Sequence, residues 1–238
     1  MYSATDIIHA AAAAPFPRLM PDEVARLPRE LADRLVAAGI LRPGEIAPAV
    51  SCMACEADHV EWVERETGPD GRTRYFIPCP EEGRVEVAPA RLQRWTVDFT
   101  PIAEALGAGL GAIGPVETVR PGRLWRLGAA RLAGRPRELW MARDACSVRG
   151  PDILAAIPRS RRPVLFRLGG EPLERAAAAD FDAVFDVRTV LDLTEAGIKV
   201  HREAVEARLA KWTRPARPAH PRAEPVRRAE SARLFASA

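Results

Sequence analysis

The chain has 238 residues, of which 47% are hydrophobic and 28% are charged. This balance is typical of a globular protein and excludes a chain that is disordered throughout. The longest apolar runs fall far short of the roughly 20 residues that a membrane-spanning helix needs. The first residues also lack the basic start of a secretory signal. We therefore expect a cytoplasmic protein that does not contact a membrane.

Residues 1–48 predict a helical N-terminal segment. Pro21, Asp22 and Glu23 suit the first turn of a helix, where proline and acidic side chains are favoured. The apolar residues that follow recur every three or four positions, at Val24, Leu27, Leu31, Leu35 and Val36. Because Pro28 interrupts this stripe, we predict two short helices, 22–27 and 29–38, the second of which ends at Gly39.

Residues 49–100 predict a small β section. Polar and apolar residues alternate in part over 59–66, and turn residues follow at 68–71. We expect three short strands in one sheet, at 59–66, 72–77 and 84–88.

Residues 101–212 predict a mixed α/β domain. Helices are expected at 101–110, 152–157 and 202–212, and strands at 122–128, 138–142, 163–168 and 198–200. Residues 185–193 fit either a helix or a strand. Residues 213–238 combine repeated prolines with arginines and predict a disordered basic tail. The expected fold class is therefore α+β.

The cysteines carry the clearest chemical signal in the sequence. Cys52 and Cys55 have the spacing with which zinc knuckles hold a metal ion. Cys79 ends the second predicted strand and is the expected third ligand, and His59 is the expected fourth. The array Cys52-x2-Cys55-x3-His59-x19-Cys79 predicts a tetrahedral Cys3His site for zinc. Four protein ligands would leave no open position, which predicts a structural role for the zinc.

Residues 50–88 resemble a zinc ribbon. The stretch 77–83 is similar to the second knuckle of such a ribbon, but Glu82 stands where the ribbon usually has a second cysteine. The resemblance implies a metal site and nothing further about activity. Two alternatives stay open for Cys52 and Cys55, namely a redox pair and buried thiols that bind no metal.

An arginine-rich stretch predicts a second surface. Residues 120–175 contain thirteen arginines, with Trp125 and Trp140 between them. Arginine binds phosphate in a bidentate manner and aromatic rings stack on bases, so this stretch is a candidate nucleic-acid face. The alternative is solvated arginines around tryptophans that belong to the core. The residues predicted to bind nucleic acid are Arg120, Arg123, Arg126, Arg131, Arg135 and Arg137.

No motif indicates a particular reaction. We therefore favour a non-enzymatic adaptor, stabilised by zinc, that acts on DNA or within a nucleic-acid-handling assembly through its arginines and its basic tail. A protein-protein interaction module without nucleic-acid contact is one alternative. A metal-dependent hydrolase or nuclease is another, and its candidate ligands are Asp182, Asp186, Asp192 and Glu195.

Overall fold

The N-terminal residues form separate helices on the two sides of Pro28, as their apolar periodicity predicts. The computed structural model describes residues 4–147, 150–158 and 162–212, which form a mixed α/β fold with eight α-helices and several small sheets. The first three helices are α1 (Ala4–Ala13), α2 (Pro21–Ala25) and α3 (Arg29–Ala37). Pro28 is the N-cap of α3, so the proline separates the two predicted helices.

The middle of the chain forms short strands around a small core. These elements are β3 (Ala49–Ser51), β4 (Val60–Trp62), β5 (Glu64–Thr67), β6 (Thr73–Cys79), β7 (Gly83–Glu86), α4 (Pro89–Leu92) and β8 (Gln93–Val97). Strands β5, β6 and β7 form an antiparallel three-stranded sheet, as predicted, but the first predicted strand, 59–66, is divided between β4, which pairs with β3, and β5. The core of this part consists of Val50, Cys52, Ile77, Cys79, Val87 and Leu92. We call residues 49–92 the β module.

Strand β8 links the β module to the N-terminal segment. It pairs on one side with β1 (Arg18–Leu19) and on the other with β2 (Leu41–Ile46), both antiparallel. The segment 1–48 is therefore not helical throughout, which corrects the prediction. Pro43 and Gly44 lie inside β2, and because both residue types have low strand propensity, the sequence does not predict this strand. Proline is tolerated there because β2 is an edge strand with an irregular register.

Residues 100–212 build a five-stranded mixed sheet with helices packed on it. In chain order the elements are α5 (Thr100–Gly109), β9 (Glu117–Arg120), β10 (Leu124–Leu132), β11 (Arg135–Arg143), α6 (Gly150–Ala155), β12 (Val164–Leu168), α7 (Arg175–Ala178), β13 (Ala183–Asp186), β14 (Leu191–Thr194), β15 (Gly197–Val200) and α8 (Arg202–Trp212). The ambiguous stretch 185–193 thus holds the end of one strand, a short turn and the start of another.

The strand order in the large sheet is β13-β12-β11-β10-β9. Strands β9, β10 and β11 are antiparallel, whereas β11, β12 and β13 run parallel. Side chains alternate between the two faces, as a pleated strand requires. One face packs Trp125, Met141 and Phe166 with apolar residues of α1, α3, α5 and α8. The other face packs Trp140 and Leu165 against Ile153 of α6.

Helix α1 ends against the carboxyl ends of β11 and β12. The Arg143 guanidinium donates hydrogen bonds to the Ala12 and Ala14 carbonyl oxygens at 3.3 and 2.8 Å, and the Gly169 amide donates to His9 Nδ1 at 3.2 Å. A Cβ on Gly169, whose φ is +77°, would lie 2.7 Å from backbone atoms of α1. The close approach therefore requires glycine at this position.

The predicted tail and the absence of a membrane-spanning helix are the two remaining expectations. Residues 213–238, the predicted disordered tail, lie outside the described residues. Within the part of the chain that the structure describes, every helix is too short or too polar to cross a membrane.

Candidate metal centre

The four predicted metal ligands meet at one end of the β module. Cys52 directly follows β3, His59 directly precedes β4, and Cys55 lies in the loop between them. The Cys52 amide donates to the His59 carbonyl oxygen at 2.8 Å, which extends the β3–β4 pairing up to the ligands. Cys79 arrives from the end of β6. One ligand atom from each of these residues lies within 4.8 Å of all the others.

The distances between the ligand atoms suit a tetrahedral ion. The Sγ atoms of Cys52 and Cys55 are 3.8 Å apart, and His59 Nε2 lies 3.1 Å from Cys55 Sγ and 3.6 Å from Cys79 Sγ. Tetrahedral zinc with its usual bond lengths holds two sulfurs ~3.8 Å apart and a sulfur and a nitrogen ~3.6 Å apart. The four residues are thus close enough to bind a metal ion.

Neighbouring groups orient these ligands. His59 Nδ1 lies 2.9 Å from Glu61 Oε1, so the carboxylate fixes the ring with Nε2 turned towards the cysteines. The Cys79 contact, and then Glu61, raise the pKa of His59. Sequence reasoning missed Glu61. Its signal was the spacing, because residues two apart in an extended segment lie on the same face.

The third cysteine ligand is held by backbone amides. The Glu82 amide donates to Cys79 Sγ at 3.4 Å. This hydrogen bond, helped by the Glu81 amide, lowers the pKa of Cys79 to about 7 although burial opposes the shift. Thiolate, the form that binds metal, is therefore well populated at neutral pH. Glu82 thus stands near the site in place of the ribbon's second cysteine, and it contributes its backbone and not its side chain.

The predicted nucleic-acid arginines do not form one surface. Arg120 and Arg123 lie at the start of β10, whereas Arg131, Arg135 and Arg137 lie at its other end, and β10 is nine residues long. A strand of that length separates its two ends by roughly 25–30 Å. The six positions are therefore divided between two ends of the sheet.

Three of these six arginines have acidic partners within the chain. Arg123 pairs with Asp144 at 3.2 Å and Arg126 with Glu138 at 2.8 Å. Arg137 is only 6% exposed and pairs with Asp182. Arg137 therefore faces the interior and not a phosphate backbone, which corrects its assignment as a surface contact. Arg120, Arg131 and Arg135 are exposed.

The four carboxylates proposed for a hydrolase are also separated. Asp182 pairs with Arg137, Asp186 contacts Arg167 at 2.6 Å, and Asp192 contacts His201 at 2.8 Å. Among the described residues, only the Cys3His group brings three or more ligand-type side chains together. The geometry therefore gives no support to a metal site built from these acids.

The chain matches no protein-family model, no curated protein and no solved structure. The metal ligands and the side chains around them are thus the features that point to a function. Two of those side chains are unusual for a folded protein. Trp62 is 71% exposed and Val60 is 64% exposed, and both lie on the same face of β4, next to the His59 ligand.

Proposed function

We propose that this protein is a non-enzymatic adaptor in which a zinc ion on Cys52, Cys55, His59 and Cys79 stabilises the β module, and in which the module binds a partner protein. The observation that carries the proposal is the exposed pair Val60 and Trp62 beside the metal ligands. We call these two residues the β4 patch. The zinc would fix the strand that presents the patch, so metal binding and partner binding belong to one small structure.

The donor set favours zinc in a structural role. Three thiolates and one imidazole match the soft and borderline ligands that zinc prefers, and four protein ligands complete its tetrahedral shell. No position is then left for a water molecule or a substrate. The β module also has a physical need for a metal, because its core contains only six buried residues. A core of this size does not hold its strands together without an additional constraint.

The β4 patch and the charge of the module favour a protein partner. Large aromatic residues are enriched at the centres of protein interfaces, where a few of them supply most of the binding free energy. Residues 49–92 contain nine acidic and five basic side chains, a net charge of −4. A surface of this sign repels nucleic acid and attracts a basic partner.

Metal content tests the first half of this proposal. Protein purified without a metal-affinity tag is expected to contain about one zinc per chain by elemental analysis. Cys79→Ser is expected to lose the zinc and to melt at a lower temperature. Cys146→Ser, which changes the cysteine outside the group, is expected to keep the zinc and the wild-type melting temperature. Zinc-free wild-type protein would contradict a structural zinc.

Differential capture tests the second half. The immobilised full chain is incubated with nuclease-treated extract of its source cells, and Trp62→Ala is compared with Ile113→Ala, which changes an apolar side chain that is 82% exposed elsewhere. We expect one protein to be captured in stoichiometric amount and to stay bound in high salt. It should bind the Ile113 variant as it binds the wild type, and the Trp62 variant at least about tenfold more weakly. Equal binding to both variants would refute the role of the β4 patch.

The nucleic-acid alternative predicts a different result. Binding of DNA or RNA would fall steeply with salt and would weaken in the double variant Arg131→Glu/Arg135→Glu, since both of these arginines are exposed. Salt-sensitive recovery of nucleic acid without a protein partner would replace the adaptor proposal with this one.

A further inference from the structure

A second candidate site lies on the sheet face that packs against α6, and its lining includes none of the metal ligands. A cavity of about 600 Å³ opens there between α6, α7 and the segments that follow β11 and β12. Cavities of about 300–1,000 Å³ are the usual size of small-molecule sites in proteins. The volume is therefore sufficient for an organic ligand, and it is larger than packing defects in a normal core.

The walls of this cavity are mainly apolar. Leu154 and Ile157 come from α6 and the residues after it, Leu173 comes from the segment before α7, and Phe181 comes from the residues before β13. All four belong to, or pack against, the apolar cluster on this face of the sheet. A ligand in the cavity would thus cover carbon surface along most of its length, which favours an apolar body.

The polar part of the lining is acidic. Glu171, Glu174 and Asp180 line the cavity, and none of the described residues that line it is basic. Glu171 and Glu174 are exposed, and their carboxylates make no hydrogen bond or ion pair with any residue in the described ranges. Arg162 and Arg167 lie nearby, but their guanidinium groups donate to the backbone carbonyl oxygens of Phe181 and Glu171. Among the described lining residues, the two carboxylates without partners therefore favour a cationic ligand over an anionic one.

We propose that this cavity binds an amphipathic organic cation, whose apolar body lies against Leu154, Ile157 and Phe181 and whose ammonium or guanidinium group lies between Glu171 and Glu174. The proposal is independent of the zinc site and of the β4 patch. The two carboxylates favour a positive charge on the ligand, and the apolar walls favour an apolar ligand body.

Cys146 provides an internal reporter of occupancy. Its side chain lines the cavity, and its Sγ donates to the Glu171 carbonyl oxygen at 2.6 Å. A ligand in the cavity would block the approach of an alkylating reagent to this thiol. Labelling of Cys146, followed by peptide mass spectrometry, therefore reports binding at this location separately from any other surface.

Three probes of one shape test the proposal. Phenylbutylammonium, phenylbutanol and phenylbutyrate share a phenyl ring on a short alkyl chain, and their head groups are cationic, neutral and anionic. Their affinities for the full-length protein are measured by titration calorimetry at low and high salt. We expect the ammonium compound to bind about tenfold or more tightly than the alcohol at low salt, the difference to shrink as salt screens the charges, and the carboxylate to bind weakest.

The variants locate this charge preference. Glu171→Gln/Glu174→Gln is expected to bind the ammonium compound and the alcohol equally, while Glu195→Gln, an exposed acid outside the cavity, retains the preference. The ammonium compound is also expected to slow the labelling of Cys146. Equal binding of the three probes, tighter binding of the carboxylate, no binding of any probe, or unprotected Cys146 would each overturn the proposal.

Discussion

One imidazole ring decides whether the metal centre has three ligands or four. His59 reaches the cysteines only through Nε2, and the Glu61 carboxylate on Nδ1 holds the ring in that orientation. A carboxylate behind a metal-binding histidine fixes its tautomer and raises its basicity. Glu61 therefore belongs to the metal centre although it does not contact the ion itself.

Replacing Glu61 tests this arrangement. We expect Glu61→Ala to weaken zinc binding by about 10–100-fold, because the imidazole loses its orienting partner while all four ligands remain. Affinity is measured by competition with a chromophoric chelator. Glu56→Ala, which removes an exposed acid from the loop between Cys55 and His59, is the matched control. An affinity that is the same in both variants would show that Glu61 does not position the ring.

The metal ligands could be predicted from the sequence, whereas the residues that position or pair with functional side chains could not. Four residues of metal-binding type at knuckle spacing are rare in a chain with four cysteines and four histidines, so Cys52, Cys55, His59 and Cys79 stand out. Glu61 is one of 32 acidic residues and does not. The burial of Arg137 could not be predicted either. An arginine is buried when an acidic residue pairs with it, and nothing in the sequence indicates that Asp182 does so.

Among the secondary-structure elements, α1 depends on a titratable contact. His9 Nδ1 accepts a hydrogen bond from the Gly169 amide, which requires a neutral ring, and Asp186, Arg167 and Arg188 lie around it. Burial, and then the charge of Arg188, lower the pKa of His9 below 6.5. A histidine with a lowered pKa in the folded state stabilises the fold above its unfolded pKa, and this contribution is lost as the pH falls through the folded pKa.

The pH dependence of stability follows from this sign. We expect the urea midpoint of the wild-type protein to fall between about pH 7 and pH 5, as the ring takes up a proton more readily in the unfolded chain. His9→Gln carries no titrating ring at this position and is expected to show a smaller fall over the same interval. The comparison is made from urea unfolding curves at several pH values. The same fall in both proteins would mean that His9 does not control the attachment of α1.

Elements with a regular pattern follow from the sequence, and irregular ones do not. Helix α3, which follows Pro28, and strand β6 of the β module have apolar residues at the period of their structure. Strand β2 has a proline and a glycine in its middle, and β9 is exposed along its whole length, so neither has a buried side to produce a pattern. Such strands are defined by their neighbours and not by their own residues.

The molecule as a whole contains more than one core. The β module packs around its own six buried residues, whereas the large sheet packs on α1, α3, α5 and α8 through a separate and much larger cluster. Only the smaller core lies at the metal ligands, since Cys52 and Cys79 are members of it. Removal of the metal should therefore affect the two parts of the molecule unequally.

Chelation of the metal tests that difference. We expect a chelator to increase hydrogen exchange of backbone amides over residues 50–87, while the amides of β10, β11 and β12 keep their protection. The measurement is hydrogen-exchange mass spectrometry with and without the chelator. Cys79→Ser is expected to show the same pattern without a chelator. A simultaneous loss of protection in both parts would show that the metal supports the entire fold.

The arrangement of the large sheet could not be predicted from the sequence. Periodicity identifies strands but does not say which strands pair, and the parallel neighbours β11, β12 and β13 are separated by long segments that include helices. The contact between His9 and Gly169 joins residues 160 positions apart, and no local signal marks it. The placement of α1 at the carboxyl ends of β11 and β12 is therefore determined by contacts between distant parts of the chain.

The turn between β10 and β11 has a consequence for the order of folding. Ala133 and Gly134 both have positive φ, 47° and 77°, as in the tight two-residue turns that close hairpins. These two strands meet early because they are neighbours in the chain, whereas β12 and β13 must first close longer loops. Helix α1 docks on residues from this later group. During synthesis on the ribosome, α1 is thus expected to reach its final place only after Arg143 and Gly169 have been added.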